Sequence, residues 1–170
     1  RLAQRCERVV VVGQSMGGTL TLWLAARHRD IAGIVCVNPL AQPLADEVLE
    51  MVRDMVAQGE LIVPGGSDVA DSSVEDLAYE GTPLPPLLSL MTAVTALAER
   101  YGEISCPLLL LTSRHDHTVD PVQSDVLAEM YGGPVERVTL ERGYHVATVD
   151  YDKDVVFARA VEFARRVTSD

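Results

Sequence analysis

Basic side chains are scarce in this chain. Lysine and arginine together number 14, against 25 aspartates and glutamates, which gives a formal net charge of −11 over 170 residues. A surface with this excess of acidic groups repels the phosphates of nucleic acids and the headgroups of anionic lipids. We therefore expect no nucleic-acid partner and no binding to an anionic membrane surface.

Long hydrophobic runs and cysteines are also few. No apolar stretch approaches the roughly 20 residues of a membrane span, so no stable membrane insertion is expected. The three cysteines, Cys6, Cys36 and Cys106, do not predict a disulfide framework. Cys36 and Cys106 lie in or beside apolar strand-like runs, where a thiol acts as a small apolar side chain. Unpaired thiols favour a reducing compartment, and we predict a cytoplasmic location.

The remaining composition is that of a globular domain. Apolar residues make up 48% of the chain and charged residues 23%, and 170 residues are enough to bury one core. Strand-like and helix-like segments alternate, which is typical of an α/β fold with a mostly parallel sheet and flanking helices. Strands are predicted at residues 8–13, 33–37, 107–112 and 135–140, and helices at 16–28, 121–131 and 151–167.

The strongest motif lies between the first strand and the first helix. Four valines at residues 9–12 predict a buried strand, residues 19–26 predict a helix, and residues 13–17 between them read Gly-Gln-Ser-Met-Gly. This context is typical of a nucleophile elbow, a turn so tight that Ser15 should have a strained backbone. We expect both glycines of the motif to be required because a side chain at either would collide with backbone. The following helix N-terminus offers free N–H groups where an oxyanion would form.

A serine nucleophile needs a base, and the base needs an acid that orients it. Residues 113–121 form a polar loop after a predicted strand, and Asp116 in this loop is the preferred acid. His145 follows the next strand and is the predicted base. The carboxyl ends of parallel strands meet at one edge of a sheet, so these side chains are expected to lie together. Asp120 competes for the acid role, but its place before Pro121 favours capping of the next helix.

Other polar residues have simpler interpretations. His115 and His117 flank Asp116, but no further ligands accompany them, so neither a metal site nor any cofactor is predicted. Residues 38–39 read Asn-Pro and predict a strand-end turn near the site. Asp150 is expected to cap the last helix.

Residues 40–100 do not fit a plain crossover between two strands. Apolar residues at helical spacing predict helices at 44–57 and 87–97, separated by a polar, Pro- and Gly-rich stretch. Two amphipathic helices inserted after a strand end would form a cap over the site, with a Leu- and Met-rich face as an acyl pocket. The alternative is that these side chains simply pack on the sheet.

Taken together, these motifs resemble those of the α/β-hydrolase superfamily, and more narrowly of bacterial carboxylesterases and monoacylglycerol lipases. The resemblance extends over nearly the whole chain and is loosest between residues 41 and 100. The matching segments are Gly-Gln-Ser-Met-Gly-Gly at 13–18, Val-Asn-Pro at 37–39, His-Asp-His-Thr-Val at 115–119 with Pro121, and Tyr-His-Val-Ala-Thr-Val-Asp at 144–150.

The resemblance implies an activity and a set of site residues. It implies Ser15 as nucleophile, Asp116 as acid, His145 as general base and the backbone N–H of Met16 as one oxyanion donor. The expected reaction is hydrolysis of a small-molecule carboxylic ester of short or medium acyl or monoacylglycerol type, through an acyl-enzyme. The same constellation also serves thioesterases, amidases, C–C bond hydrolases and acyltransferases. The substrate-binding residues and the oligomeric state are left open.

The resemblance also implies a domain organisation. In that family the elbow follows the fifth strand, and an earlier loop gives the second oxyanion donor, whereas eight residues precede the valine run here. We expect residues 1–39 and 101–170 to form the C-terminal portion of a hydrolase core whose N-terminal strands are missing, with 40–100 as a cap. An inactive fragment or partner-binding module is the alternative.

Overall fold

The computed structural model describes residues 2–169. Short 3-10 turns occur at Leu2–Gln4 and Tyr101–Glu103. The strands and α-helices follow in the order β1 (Val10–Gln14), α1 (Met16–Ala25), β2 (Gly33–Val37), α2 (Asp46–Ala57), β3 (Ile62–Pro64), β4 (Gly81–Pro83), α3 (Leu84–Ala98), β5 (Leu108–Ser113), α4 (Val122–Met130), β6 (Val135–Leu140) and α5 (Lys153–Thr168).

Four of these strands form one parallel sheet in the order β1-β2-β5-β6. The register pairs Gln14 with Val37, Val37 with Leu111, and Ser113 with Leu140. The four strands therefore end close together, and the loops that follow them share one edge of the sheet. This arrangement confirms the predicted α/β class and parallel pairing.

The central strands are buried on both faces, as parallel strands between two helical layers must be. All five residues of β2 and the first four of β5 are buried. Successive side chains point to opposite faces. Ile34 and Leu110 pack in a core with Leu22 of α1 and Leu127 of α4. The alternating residues of the same strands meet α5 in a second core, through Val35, Val37, Leu109, Leu111, Val156 and Phe163.

The segment 40–100 holds both predicted helices and a hairpin that the sequence pattern did not predict. α2 and α3 pack against each other, and α3 also reaches the first core through Leu97. α3 begins at Leu84, so Pro85 and Pro86 lie in its first turn, where a missing N–H leaves no hydrogen bond unmade. β3 and β4 pair antiparallel between the helices. Whether this segment acts as a cap stays a prediction.

No helix among residues 2–169 is long and apolar enough to cross a membrane. The three cysteines are free; Cys36 is buried, Cys106 is half-buried and Cys6 is exposed.

Candidate active site

Ser15 lies between β1 and α1 in a backbone conformation that non-glycine residues rarely adopt. Its φ is 54° and its ψ is −124°, which confirms the predicted strain. Two backbone hydrogen bonds hold it: its N–H donates to the Val37 carbonyl at 2.9 Å, and its carbonyl accepts the Thr19 N–H at 3.2 Å. The side chain is thereby held at the edge where the four strands end.

Of the two glycines predicted to be required around Ser15, the structure confirms Gly13 and not Gly17. A Cβ on Gly13 would lie 2.1 Å from the Gly17 carbonyl oxygen, so Gly13 is required by close approach. A Cβ on Gly17 would meet nothing within 4 Å, so the predicted collision at Gly17 is wrong. The second close approach belongs to Gly18, whose Cβ would lie 2.8 Å from that of Pro39.

The structure brings the three predicted site side chains into one hydrogen-bonded chain. His145 Nε2 lies 2.8 Å from Ser15 Oγ, and His145 Nδ1 lies 2.7 Å from Asp116 Oδ2. The side chains of His145 and Asp116 are only 8% and 2% exposed. An ionised carboxylate accepts only, so Nδ1–H donates to Asp116 and Nε2 is left to accept the Ser15 hydroxyl proton.

The loop after β5 orients the acid. Asp116 Oδ1 accepts the N–H groups of Thr118 and Val119 at 2.9 and 2.8 Å, which leaves Oδ2 for His145. Asp120 Oδ1 instead accepts the Val122 N–H in the first turn of α4, which confirms its predicted capping role.

Asn38 is more than the predicted turn residue. It is buried, and its Nδ2 donates to the His145 carbonyl at 2.8 Å and to Ser113 Oγ at 2.9 Å. Its Oδ1 accepts the Ser113 N–H at 2.7 Å. Asn38 therefore joins the ends of β2 and β5 to the backbone of the histidine. The sequence signal was a lone amide directly after a wholly apolar strand.

Asp150 is not the cap of the last helix, so that prediction is wrong. Its carboxylate accepts the N–H groups of Ala70, Asp71, Tyr144 and Tyr151, at 2.8 to 3.0 Å. Burial acts to raise the pKa of Asp150, but these four donors outweigh it and hold the pKa below its ordinary value. The carboxylate thus binds the loop between β6 and α5, residues 141–152, to the segment 40–100. These are called the histidine loop and the insertion below.

Asp152 stands at the N-cap position of α5 instead. It makes no side-chain capping bond there, because its Oδ2 accepts the N–H groups of Arg142 and Gly143. Both carboxylates thus serve the loop that carries His145.

Asp68, in the segment 40–100, is a carboxylate of the site that the sequence analysis missed. Its Oδ2 accepts the His117 N–H at 2.9 Å and the His145 N–H at 3.2 Å. Its Oδ1 lies 2.8 Å from His117 Nδ1, and the His117 ring meets the edge of Tyr144. His117 is therefore paired with a carboxylate from another loop, while His115 is exposed.

Met16 begins α1 immediately after Ser15. N–H groups in the first turn of a helix have no acceptor within that helix and point toward its N-terminus. The Met16 N–H is thus adjacent to the nucleophile in the chain, and its role as an oxyanion donor stays a prediction.

Comparison with known sequences identifies one family and one curated relative. Residues 1–152 match the family Hydrolase_4, described as "Serine aminopeptidase, S33". The thermostable monoacylglycerol lipase of Bacillus sp. (strain H-257) is 39% identical over 166 residues, which is 95% of this chain. The chain spans 64% of that relative's length.

Solved structures show the same fold. A structure from work on LipS and LipT, two metagenome-derived lipolytic enzymes, has a TM-score of 0.90 and 33% identity, covering 97% of this chain and 68% of its own. The Paleococcus ferrophilus monoacylglycerol lipase has a TM-score of 0.75 at 18% identity, covering 95% of this chain and 70% of its own, and supports the fold alone. The fold is that of the α/β hydrolases.

Proposed function

The chain belongs to the Hydrolase_4 family, and from this premise we propose that it is a serine hydrolase that cleaves carboxylic esters through Ser15, His145 and Asp116. One observation carries the proposal. The Ser15 hydroxyl, both nitrogens of His145 and the Asp116 carboxylate form a continuous chain of hydrogen bonds at 2.8 and 2.7 Å.

The first step forms an acyl-enzyme. His145 Nε2 takes the hydroxyl proton as Ser15 Oγ attacks the ester carbonyl carbon. The tetrahedral intermediate collapses, the bond to the alcohol oxygen breaks, and the imidazolium gives its proton to the leaving alcohol. In the second step His145 Nε2 takes a proton from water as the water oxygen attacks the acyl carbonyl carbon. The bond from that carbon to Ser15 Oγ then breaks, the imidazolium returns its proton to Ser15 Oγ, and the carboxylic acid is released.

The buried acid and the start of α1 stabilise the charges that this reaction creates. Asp116 fixes the imidazole tautomer and stabilises the imidazolium, since it lies against Nδ1 with little access to water. We assign the backbone N–H of Met16 as one oxyanion donor, because it begins a helix next to the nucleophile.

The proposed substrates are short or medium acyl esters or monoacylglycerols. One support is the relative named as a monoacylglycerol lipase. The other is the apolar character of α2 and α3, on which Met51 is exposed and Met91 is buried. The description of the family as an aminopeptidase favours amide hydrolysis as the second candidate. The same triad serves both reactions, so the acyl and leaving groups must be tested directly.

Covalent labelling tests the assembly of the site without a choice of substrate. The chain is incubated with a fluorophosphonate and its intact mass is measured, beside the Ser15→Ala variant and Ser89→Ala, which removes an exposed hydroxyl of α3. One adduct on the wild type and on Ser89→Ala, absent from Ser15→Ala, is expected. A folded wild-type chain that forms no adduct contradicts the proposal and favours an inactive fragment.

A substrate panel then separates the chemical classes. The panel holds p-nitrophenyl esters of increasing acyl length, a monoacylglycerol, a thioester and an aminoacyl p-nitroanilide. Highest kcat/KM on the esters is expected, and Ser15→Ala should lower it by at least about 10,000-fold. Preference for the anilide would replace the esterase assignment by an amidase assignment.

A further inference from the structure

The loop at residues 68–71 belongs to the insertion, yet it lies against the loop that carries His145. Asp68 uses its carbonyl as well as its carboxylate, since the Val146 N–H donates to that carbonyl at 3.1 Å. The N–H groups of Ala70 and Asp71 donate to the Asp150 carboxylate. Hydrogen bonds therefore run in both directions between the insertion and the histidine loop.

The carboxylate of Asp68 joins two separate loops at one oxygen atom. Oδ2 accepts the N–H of His117, the residue after Asp116, and the N–H of His145. The donor–acceptor distances are 2.9 and 3.2 Å, so the two backbone nitrogens are held at a fixed separation through one atom. The side chain is 16% exposed, which limits competition from water.

We propose that Asp68 is a positioning residue that sets the relative placement of Asp116 and His145 from within the insertion. The proposal rests on the function proposed for Ser15, His145 and Asp116. Asp68 acts through the backbone N–H groups of His145 and of the residue after the acid. The two ring nitrogens of His145 bond instead to Asp116 and Ser15.

The chemistry of the site makes this placement consequential. His145 must keep two short hydrogen bonds at once, and a displacement of about 1 Å in such a site costs about 100-fold in rate. The two loops follow β5 and β6. They are already joined where they begin, since Ser113 Oγ donates to the Tyr144 carbonyl at 2.8 Å and Asn38 Nδ2 donates to the His145 carbonyl at 2.8 Å. Asp68 adds a link further along the first loop, at the residue after Asp116. The carboxylate therefore supplies a link that the strand register alone does not.

Asp68 is suited to this role in its charged form. Burial acts to raise its pKa, but the hydrogen bonds from His117 and His145 outweigh burial, and its pKa lies below the ordinary value. The His117 side chain is 61% exposed, and its Nδ1 lies within hydrogen-bond distance of Asp68 Oδ1 at the edge. We therefore expect the two backbone bonds, rather than the His117 side chain, to do the positioning.

Four variants separate positioning from other roles. Asp68→Ala removes every acceptor of the side chain. Asp68→Asn keeps one oxygen for the two backbone N–H groups. Asp68→Glu keeps the charge but displaces it by one methylene. Asp76→Ala is the matched control, because it removes a carboxylate of the same segment whose hydrogen bond, from the Ser67 hydroxyl, reaches neither the loop of Asp116 nor the loop of His145.

The rate of fluorophosphonate labelling and the kcat and KM for a p-nitrophenyl ester are measured on variants that retain wild-type circular dichroism. Asp68→Ala is expected to lower the labelling rate and kcat by about 10- to 100-fold with KM unchanged. Asp68→Glu should lower both by about tenfold, Asp68→Asn should restore most of the rate, and Asp76→Ala should match the wild type. If Asp68→Ala does not fold, the Asp68→Glu result decides.

Three results would overturn the proposal. Wild-type labelling by Asp68→Ala and Asp68→Glu would show that the link is dispensable. A rise in KM at constant kcat would place Asp68 in substrate binding. Equal losses in Asp68→Ala and Asp76→Ala would show a general structural effect of the segment.

A readout independent of activity separates this proposal from the proposed function. Amide hydrogen exchange at His145 and the NMR signal of its Nδ1–H proton report the backbone bond and the contact with Asp116. Faster exchange and a shifted signal in Asp68→Ala, but not in Asp76→Ala, are expected even if the wild-type chain is not labelled. Unchanged exchange and an unshifted signal contradict the positioning role whatever the activity.

Discussion

Two non-glycine residues with positive φ occur among residues 2–169, and they stand at the ends of neighbouring strands. Ser15 follows β1 with a φ of 54°, and Asn38 follows β2 with a φ of 45°. Such backbone persists only where the surroundings determine it. At Ser15 the strain presents a nucleophile, whereas at Asn38 it places an amide where three partners converge. The edge of the sheet thus holds strain at two adjacent positions, of which only one is in the predicted triad.

Replacement of Asn38 by alanine is expected to lower the free energy of unfolding by about 2–4 kcal/mol. The reason is that the Ser113 N–H and the His145 carbonyl would be left without their partner in a buried place. Alanine also tolerates positive φ less well than asparagine. Urea unfolding of the variant beside the wild type measures the difference.

A double-mutant cycle with Ser113→Ala controls this experiment. Asn38 Nδ2 donates directly to Ser113 Oγ, so the two losses should not add. Losses that add within about 0.5 kcal/mol would contradict the contact.

The two glycines of the elbow make a matched pair for a second prediction. Gly13→Ala should destabilise the chain by about 3 kcal/mol or more, since its Cβ would lie 2.1 Å from a backbone oxygen. Gly17→Ala should be neutral or stabilise it by up to about 1 kcal/mol, because the site is open and alanine is the better helix former. Thermal unfolding of both variants measures the contrast, and equal destabilisation would contradict it.

Among single residues, the sequence predicts those that belong to a recognisable local motif. Ser15, Asp116 and His145 are found because each follows a strand and strand ends converge. Asp68 is not found, because it follows no strand of the parallel sheet and its partner His145 lies 77 residues away. Asn38 follows β2 and was placed near the site, but no local pattern encodes its hydrogen bonds to His145 and Ser113. Gly17 was misjudged for a related reason, since the space around a backbone atom depends on neighbours distant in sequence.

At the scale of elements, β1, β2 and β5 were predictable because each contains a short apolar run, and β6 because three apolar residues recur among its polar ones. Of these strands β2 and β5 are buried, whereas β1 is only half-buried, so the predicted burial of the valine run is wrong. The hairpin of β3 and β4 was not, because three-residue strands are too short to show alternation. Asp150 was misassigned because its position before a helix is typical of a cap. In the structure its carboxylate instead accepts N–H groups of the histidine loop, those of Tyr144 and Tyr151.

The link made by Asp150 between the insertion and the histidine loop should give acid-dependent stability. Its pKa is lower in the folded chain than in the unfolded chain, so its charge contributes stability at pH values above the unfolded pKa, about 3.9. That contribution is lost as the pH falls through the folded value. Asp150→Asn is therefore expected to be about 2 kcal/mol less stable at pH 7, with a difference that shrinks below about pH 4.

Urea unfolding between pH 3 and pH 7 measures this difference, with Asp30→Asn as the control. Asp30 is exposed in the turn before β2, so its replacement removes the same charge without the four N–H donors. A difference for Asp150→Asn that stays constant down to pH 3, or one equally large for Asp30→Asn, would contradict the assigned role.

At the scale of the whole molecule, burial is uneven across the sheet. β2 and β5 are central, whereas β1 and β6 are the edges of the sheet in the described residues. Val12 of β1 is 58% exposed, although Val10 of the same strand packs in the second core. On α1, Met16, Leu20 and Trp23 are exposed at the spacing of one helix face. An exposed apolar side chain on an edge strand and an exposed apolar helix stripe are both features that favour aggregation.

The 170-residue chain is therefore expected to bind 1-anilinonaphthalene-8-sulfonate and to scatter more light as its concentration rises. Val12→Lys should reduce both signals, because it removes the exposed valine and because a charged side chain on an edge strand opposes pairing with another chain. Val122→Lys is the matched control: it makes the same change of residue and charge on α4, where the valine is 52% exposed. If both variants reduce the signals equally, the effect is one of net charge, and the edge at β1 is not the source.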